Sequence, residues 1–231
     1  MAKIAGLIRK RLCLCILMGL WMITVFGCGP LVEEETENTV LTDDFSSYGS
    51  FPSDPWAVVS GNSSSWSITS SSDVYAARFY TTDSLYSCLL NGDFNSSGKT
   101  SVSAKIKVVS VSTTGGAYGL YLRAASDLSS YYELSLDSAG GTIYIYRVNG
   151  ALASVLNYAS LSVSSNMTSY HTYKLKLYEN DDGSVTLTAY IDGTAMISGT
   201  DSNPLTGGYY TGFFFAYVTD GYVMNYLITQ P

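Results

Sequence analysis

Histidine occurs once in this 231-residue chain, at His171, and proline only five times. A single imidazole excludes a multi-histidine zinc site and makes any Ser-His-Asp or Cys-His arrangement depend on one residue. His171 opens a strand pattern with no nucleophile motif beside it, and it reads as a surface residue. Cysteine is almost missing from the body of the chain. Cys13, Cys15 and Cys28 lie near the N-terminus, so Cys88 has no intrachain partner there and reads as a small buried hydrophobe. Charged residues make up only 13% of the chain, whereas aromatics, 20 of them tyrosine, make up as much again; a disordered chain has the opposite balance. The formal net charge is −7 and no basic run occurs beyond Arg11, so a nucleic-acid footprint is excluded. No glycine-rich phosphate loop follows a strand and opens a helix. The length suits one large β domain able to bury a core without disulfides.

Lys3, Arg9, Lys10 and Arg11 precede an apolar run from Leu12 to Phe26. A basic start followed by a short apolar core is the layout of a secretory signal, and fifteen residues fall short of the ~20 a membrane span needs. The run ends in Val25-Phe26-Gly27-Cys28, which resembles the lipobox of bacterial lipoproteins. That resemblance implies cleavage after Gly27 and acylation of Cys28, so the chain would meet the membrane through lipid. Phe26 is bulkier than the usual residue at its position. Several acyl chains anchor firmly where one is marginal. Removing residues 1–27 takes four of the twelve cationic residues and none of the nineteen acids, leaving a charge of −11. Such a surface is not drawn to anionic headgroups as a whole, which leaves anchoring to the lipid. Gly29 is not the Asp that retains enterobacterial lipoproteins at the inner membrane, so an exported, outer-membrane address is expected in a cell with two membranes. Residues 28–42, with Glu33, Glu34, Glu35 and Glu37, read as an acidic tether with a span of roughly 20 Å.

From Asp43 to the end the pattern is strand throughout. Val102, Ala104, Ile106 and Val108 alternate with Ser103, Lys105 and Lys107; Tyr173, Leu175 and Leu177 alternate with Lys174 and Lys176; Val185, Leu187, Ala189 and Ile191 alternate with Thr186, Thr188 and Tyr190. These are half-buried antiparallel strands. Asp182-Gly183, Gly140-Gly141, Asn149-Gly150 and Asp192-Gly193 separate or end strand runs and mark hairpins. About a dozen strands at sandwich spacing, with no linker between them, predict a single all-β domain over residues 43–231.

Asp43-Asp44-Phe45, Trp56, Trp66, Gly119-Leu120-Tyr121-Leu122-Arg123, Ser130-Tyr131-Tyr132-Glu133-Leu134, Tyr190-Ile191-Asp192-Gly193, Leu205-Thr206-Gly207-Gly208 and Thr211-Gly212-Phe213 follow one another in an order that resembles the concanavalin A-like lectin/glucanase superfamily, especially its laminin G-like bacterial branches. The resemblance covers Asp43 to Thr229. It implies an antiparallel β-sandwich jelly roll with glycans bound on one sheet face or its rim. The family's first and last strands are often bridged by Ca²⁺. Asp43 and Asp44, with Asp220 or Asn225 standing in for the acid that Met224 replaces, are the candidates for such an ion, a structural Ca²⁺ being the one cofactor considered. The alternative is that Asp43 and Asp44 are solvated or bind backbone amides.

Glycanases of this superfamily carry Glu-x-Asp-x-x-Glu on one strand, because hydrolysis needs two carboxyls about 5–5.5 Å apart. Here Glu133 is followed by Ser135, and Glu179-x-Asp181 runs into the Asp182-Gly183 turn, read as a solvated hairpin tip. A non-catalytic reading follows. Alternation places Tyr121, Arg123, Tyr131, Glu133, Tyr144 and Tyr146 on one face, the core taking Leu120, Leu122, Leu134, Leu136, Ile143 and Ile145. Flat rings with one donor fork and one acceptor suit a sugar; the same rings would also stabilise a sheet with no ligand, and Arg123 could simply pair with Glu133. Trp56 and Trp66 read as core. Tyr209, Tyr210, Phe213, Phe215 and Tyr217 read as a second ligand wall with Phe214 and Ala216 facing inward. The leading expectation is a lipid-anchored envelope protein with a non-catalytic carbohydrate-binding jelly roll. The alternatives are a structural or adhesive surface lipoprotein with protein partners and, third, a glycan-active hydrolase.

Overall fold

The computed structural model describes residues 37–72, 74–82, 86–91, 99–112, 115–137, 141–161 and 168–230, with the backbone alone at 86–89. The signal segment, Cys28, the first part of the tether and the Cys88 side chain lie outside the described residues. The strands in chain order are β1 (Asn38–Asp43), β2 (Trp56–Ser60), β3 (Trp66–Ser71), β4 (Val74–Tyr80), β5 (Tyr86–Asn91), β6 (Thr100–Val111), β7 (Ala117–Ala124), β8 (Ser130–Asp137), β9 (Thr142–Asn149), β10 (Leu152–Ser160), β11 (His171–Glu179), β12 (Val185–Ile191), β13 (Thr194–Asp201), β14 (Tyr210–Ala216) and β15 (Val218–Gln230). They form two antiparallel sheets. Sheet A runs β13-β12-β11-β6-β15-β4-β3, with β1 also on β15; sheet B runs β10-β9-β8-β7-β14-β5-β2. The long β15 shares one edge between two partners: β4 pairs Asp220–Val223 and β1 pairs Tyr226–Gln230.

The alternating strands bury the faces their pattern predicts. Val102, Ala104, Ile106, Tyr173, Leu175, Leu177, Leu187 and Ala189 are at most 1% exposed. Asp192 and Gly193 both have positive φ, 49° and 80°, the backbone that a two-residue turn between twisted strands requires. Between the sheets lies an aromatic cluster. Trp56 packs on Tyr226 at 4.8 Å and Phe213 at 4.9 Å, and Trp66 on Phe79 at 5.0 Å. Burying each such ring contributes roughly 1.5–3 kcal/mol. Polar ties cross the core as well. The hydroxyls of Tyr118 on sheet B and Tyr173 on sheet A share a hydrogen bond of 2.8 Å, and Tyr132 donates to Asp201 at 2.8 Å.

Three expectations are corrected. First, the tether does not reach residue 42: Asn38–Asp43 is a strand, and the Glu37 carboxylate accepts from Lys174 and Lys176 at 2.6 Å each and from Thr229 at 2.8 Å. Burial pushes the Glu37 carboxyl upward, but these donors outweigh it and hold it at about 2. Second, the aromatic strand β14 has the opposite phase: Phe213 and Phe215 enter the core, whereas Phe214 faces outward. Third, Glu179 is not simply a solvated tip residue, because it pairs with Arg123.

Candidate glycan-binding face

On β8, Tyr132, Leu134 and Leu136 enter the core, so Tyr131, Glu133, Ser135 and Asp137 point out of sheet B. Register then assembles the site. Glu133 sits between Tyr121 on β7 and Tyr146 on β9, and Ser135 between Gly119 and Tyr144. The tyrosines of this face divide into two groups. Tyr121 is fully buried; it stacks on Phe214 at 5.0 Å and meets the Tyr131 ring edge-on at 4.8 Å, in a small apolar cluster with Leu90 and Ala124. It forms the floor of this face rather than a contact surface. Tyr144 is half-buried and stacks on Tyr146 at 5.3 Å and on Tyr158 of β10 at 5.9 Å, with interplanar angles of 20° and 24°. Tyr158 is 63% exposed. The three make a flat, partly solvated ladder beside Glu133.

The Glu133 carboxyl is pushed up to about 7 by its burial at the bottom of this face, which the Ser135 hydroxyl only partly offsets. Tyr146 is pushed above the ordinary phenol range by burial and by the neighbouring Tyr144, Glu133 and Asp137. Across from Glu133 stand two tyrosines, and its same-face neighbours along β8 are Tyr131 and Ser135. None of the four is a carboxylate that could serve as a second catalytic acid.

Arg123 does not join this face. Its φ is +51°, and the β14 register against β7 shifts between Tyr210 and Gly212 beside it. A bulge breaks alternation and re-aims the side chain. Arg123 is 7% exposed and pairs with Glu179 of sheet A instead of Glu133. The pair lines a rim cavity of about 510 Å³ with Asn180, Leu205, Gly208 and Tyr209. Tyr158 is the residue that the sequence does not reveal. The β10–β9 register shifts between Val155 and Asn157, so strict alternation along Leu152–Ser160 misassigns its face.

The β1–β15 register sets Asp43 opposite Tyr226, next to Asn225, but the three calcium-candidate carboxylates already have protein partners. Asp43 accepts from the Phe45 amide at 2.8 Å and from Tyr48 Oη and Trp56 Nε1 at 2.6 Å each. Asp44 accepts from the Ser46 amide and hydroxyl, and Asp220 is held by both Arg78 Nε and Nη2. Asn225 is exposed at a β15 irregularity. Among the described residues, no group of three or more His, Cys, Asp or Glu side chains is placed to hold a metal. His171 starts β11, half-buried with its Nε2 covered, and pairs through Nδ1 with Asp192 at 2.7 Å.

No protein-family model and no curated protein matches the sequence. Solved structures do match the fold. The carbohydrate-binding module CBM66 from Bacillus subtilis superposes with a TM-score of 0.53 at 17% identity, over 76% of this chain and 96% of that one. The Bacillus licheniformis beta-glucanase gives 0.55 at 14%, over 86% and 100%. The carbohydrate recognition domain of Emp46p in its potassium-bound form gives 0.54 at 8%, over 75% and 88%. The chain is a concanavalin A-like jelly roll, the fold of carbohydrate-binding modules, lectin domains and family 16 glucanases.

Proposed function

We propose that this is a lipid-anchored envelope protein whose jelly roll binds a glycan non-catalytically on the outer face of sheet B. The observation that carries this reading is the solvated ladder Tyr146–Tyr144–Tyr158 beside Glu133. Stacked rings offer a flat apolar platform to the C–H face of a sugar, and Glu133 offers hydroxyl recognition at its edge. The likeness to a carbohydrate-binding module and a lectin domain supports the binding class. A hydrolase is the second reading, because a carboxyl held near neutrality suits a general acid. Against it, the next carboxylate on this face is Asp137, four residues and about 13 Å further along β8, where a retaining pair needs about 5–5.5 Å.

The test is a glycan-array and thermal-shift screen on the soluble chain from Glu37, since β1 belongs to the sheet. A binding sugar raises the Tm. Tyr146→Ala is expected to weaken that binding about 30-fold, roughly 2 kcal/mol for an aromatic anchor, with the Tm nearly unchanged. A blank screen on a stably folded domain would move the reading to the structural or adhesive alternative, and glycan cleavage lost in Glu133→Gln would establish the hydrolase. For the anchor, Cys28→Ser should abolish incorporation of labelled palmitate and the shift to the mature mass; unchanged labelling would sink the lipoprotein reading.

A further inference from the structure

The cations of this acidic domain are segregated. After residue 37 the chain has eight Lys and Arg residues, and six of them, Arg78, Lys99, Lys105, Lys107, Lys174 and Lys176, gather on the outer side of sheet A. Three acids meet part of this charge. Glu37 holds Lys174 and Lys176, Asp220 holds Arg78, and Asp192 pairs with His171 near Lys105. Lys107 is different. Its ammonium lies 4.5 Å from the Tyr222 ring centre and 4.9 Å from that of Tyr170, and no carboxylate among the described residues forms an ion pair with it. Arg78 continues the row, 5.4 Å from Tyr222 and 4.9 Å from Tyr80. The rings hold both cations in place without neutralising them.

Beside Lys107 lies a cavity of about 240 Å³. Its floor is Ala76 and Met224, both buried, and its wall carries the hydroxyls of Thr69 and Ser71, which share the outer face of β3 while Ser70 between them turns to the other face. The depression sits where β15 passes from β4 to β1, at the register shift after Met224. We infer that this cavity takes one unit of an acidic polysaccharide, a uronate whose carboxylate meets Lys107 and whose hydroxyls meet Thr69 and Ser71. A fixed ammonium without a counter-charge recognises an anion, the hydroxyls match sugar hydroxyls, and the volume suits one sugar unit rather than several. A flat anionic bilayer would not use a walled recess. The neighbouring cations draw the acidic chain along the face. This site lies on the sheet opposite the tyrosine ladder and stands or falls independently of it.

The test uses the full chain in mild detergent, with polygalacturonate, neutral dextran, dextran sulfate and phosphatidylglycerol-containing vesicles as probes. Polygalacturonate is expected to bind at low salt. Lys107→Ala and 0.5 M NaCl should each weaken it at least tenfold, while Lys107→Arg leaves it within twofold. Lys107→Gln, which keeps the side-chain stem, repeats the test if the alanine variant loses thermal stability. No binding to polygalacturonate, binding indifferent to both Lys107→Ala and Lys107→Gln, or binding to vesicles or dextran sulfate alone would each overturn the assignment.

Discussion

Replacing Asp43 with Ala is expected to lower the stability of the domain by about 4 kcal/mol, with a fall of roughly 10 °C in Tm. The Asp43 carboxylate is 9% exposed and is the acceptor for three donors at once: the Phe45 amide, Tyr48 Oη and Trp56 Nε1. Truncation strands the indole N–H of Trp56, itself 3% exposed, and the amide of Phe45, which is fully buried. Each buried donor left unmet costs roughly 1–3 kcal/mol, more when the lost partner was charged. The loss also loosens the first loop against the aromatic core, because Phe45 and Trp56 pack there at a ring distance of 5.9 Å. Asp44→Ala is the internal control. Asp44 is exposed and serves only the Ser46 amide and hydroxyl, so its loss should cost less than about 1 kcal/mol. Urea melts of the two variants beside the parent chain decide the matter. The same geometry leaves this carboxylate about one of its four lone-pair sites, on Oδ1, too few for a bidentate calcium ligand. EDTA is accordingly expected to leave the parent Tm unchanged. Equal melts for the two variants, or a large EDTA effect, would contradict this account.

The architecture was legible where one face of a strand is apolar and the other polar. The runs at Val102–Val108, Tyr173–Leu177 and Val185–Ala189 have no second reading, and Asp182-Gly183 and Asp192-Gly193 fix their hairpins. Legibility failed where both faces carry rings. Along Tyr209–Tyr217 a period of two is present without a phase, and only the packing of Phe213 and Phe215 on Trp66 and their neighbours settles it. β1 was hidden for another reason. Its pattern is short and follows a run of glutamates, while its partner β15 lies about 190 residues away. Local sequence says nothing of such a pairing. Within the candidate site, Tyr121, Tyr131, Glu133, Tyr144 and Tyr146 share the face that alternation assigns them. Arg123 and Tyr158 escape alternation because each lies next to a register shift, and a bulge inverts the parity of everything beyond it.

Glu133 should make the domain more stable in mild acid than in base. Its carboxyl is raised from 4.5 to about 7, first because burial disfavours the charged form. The folded state therefore holds this proton more tightly than the unfolded chain does. That stabilisation is fully present below about pH 4.5 and is lost as the pH rises through about 7. A shift of this size corresponds to about 3 kcal/mol between the two limits. The opposing loss from Glu37, lowered from 4.5 to about 2, begins only as the pH falls below about 4.5 and continues to about 2, outside the pH 5–9 window. Between pH 5 and pH 9 the Tm of the parent chain is expected to fall by several degrees. Glu133→Gln has the same shape and no titrating proton, so its melting profile should be nearly flat over that window and should cross the parent profile. A bound sugar adds a second signature. If its hydroxyls donate to the Glu133 carboxylate, binding favours the ionised form, and affinity rises with pH through about 7 even as the free domain weakens. Opposite slopes for stability and affinity, both removed by the single Gln substitution, would tie Glu133 to the ligand as well as to the fold; parallel slopes would leave it a buried acid with no part in binding.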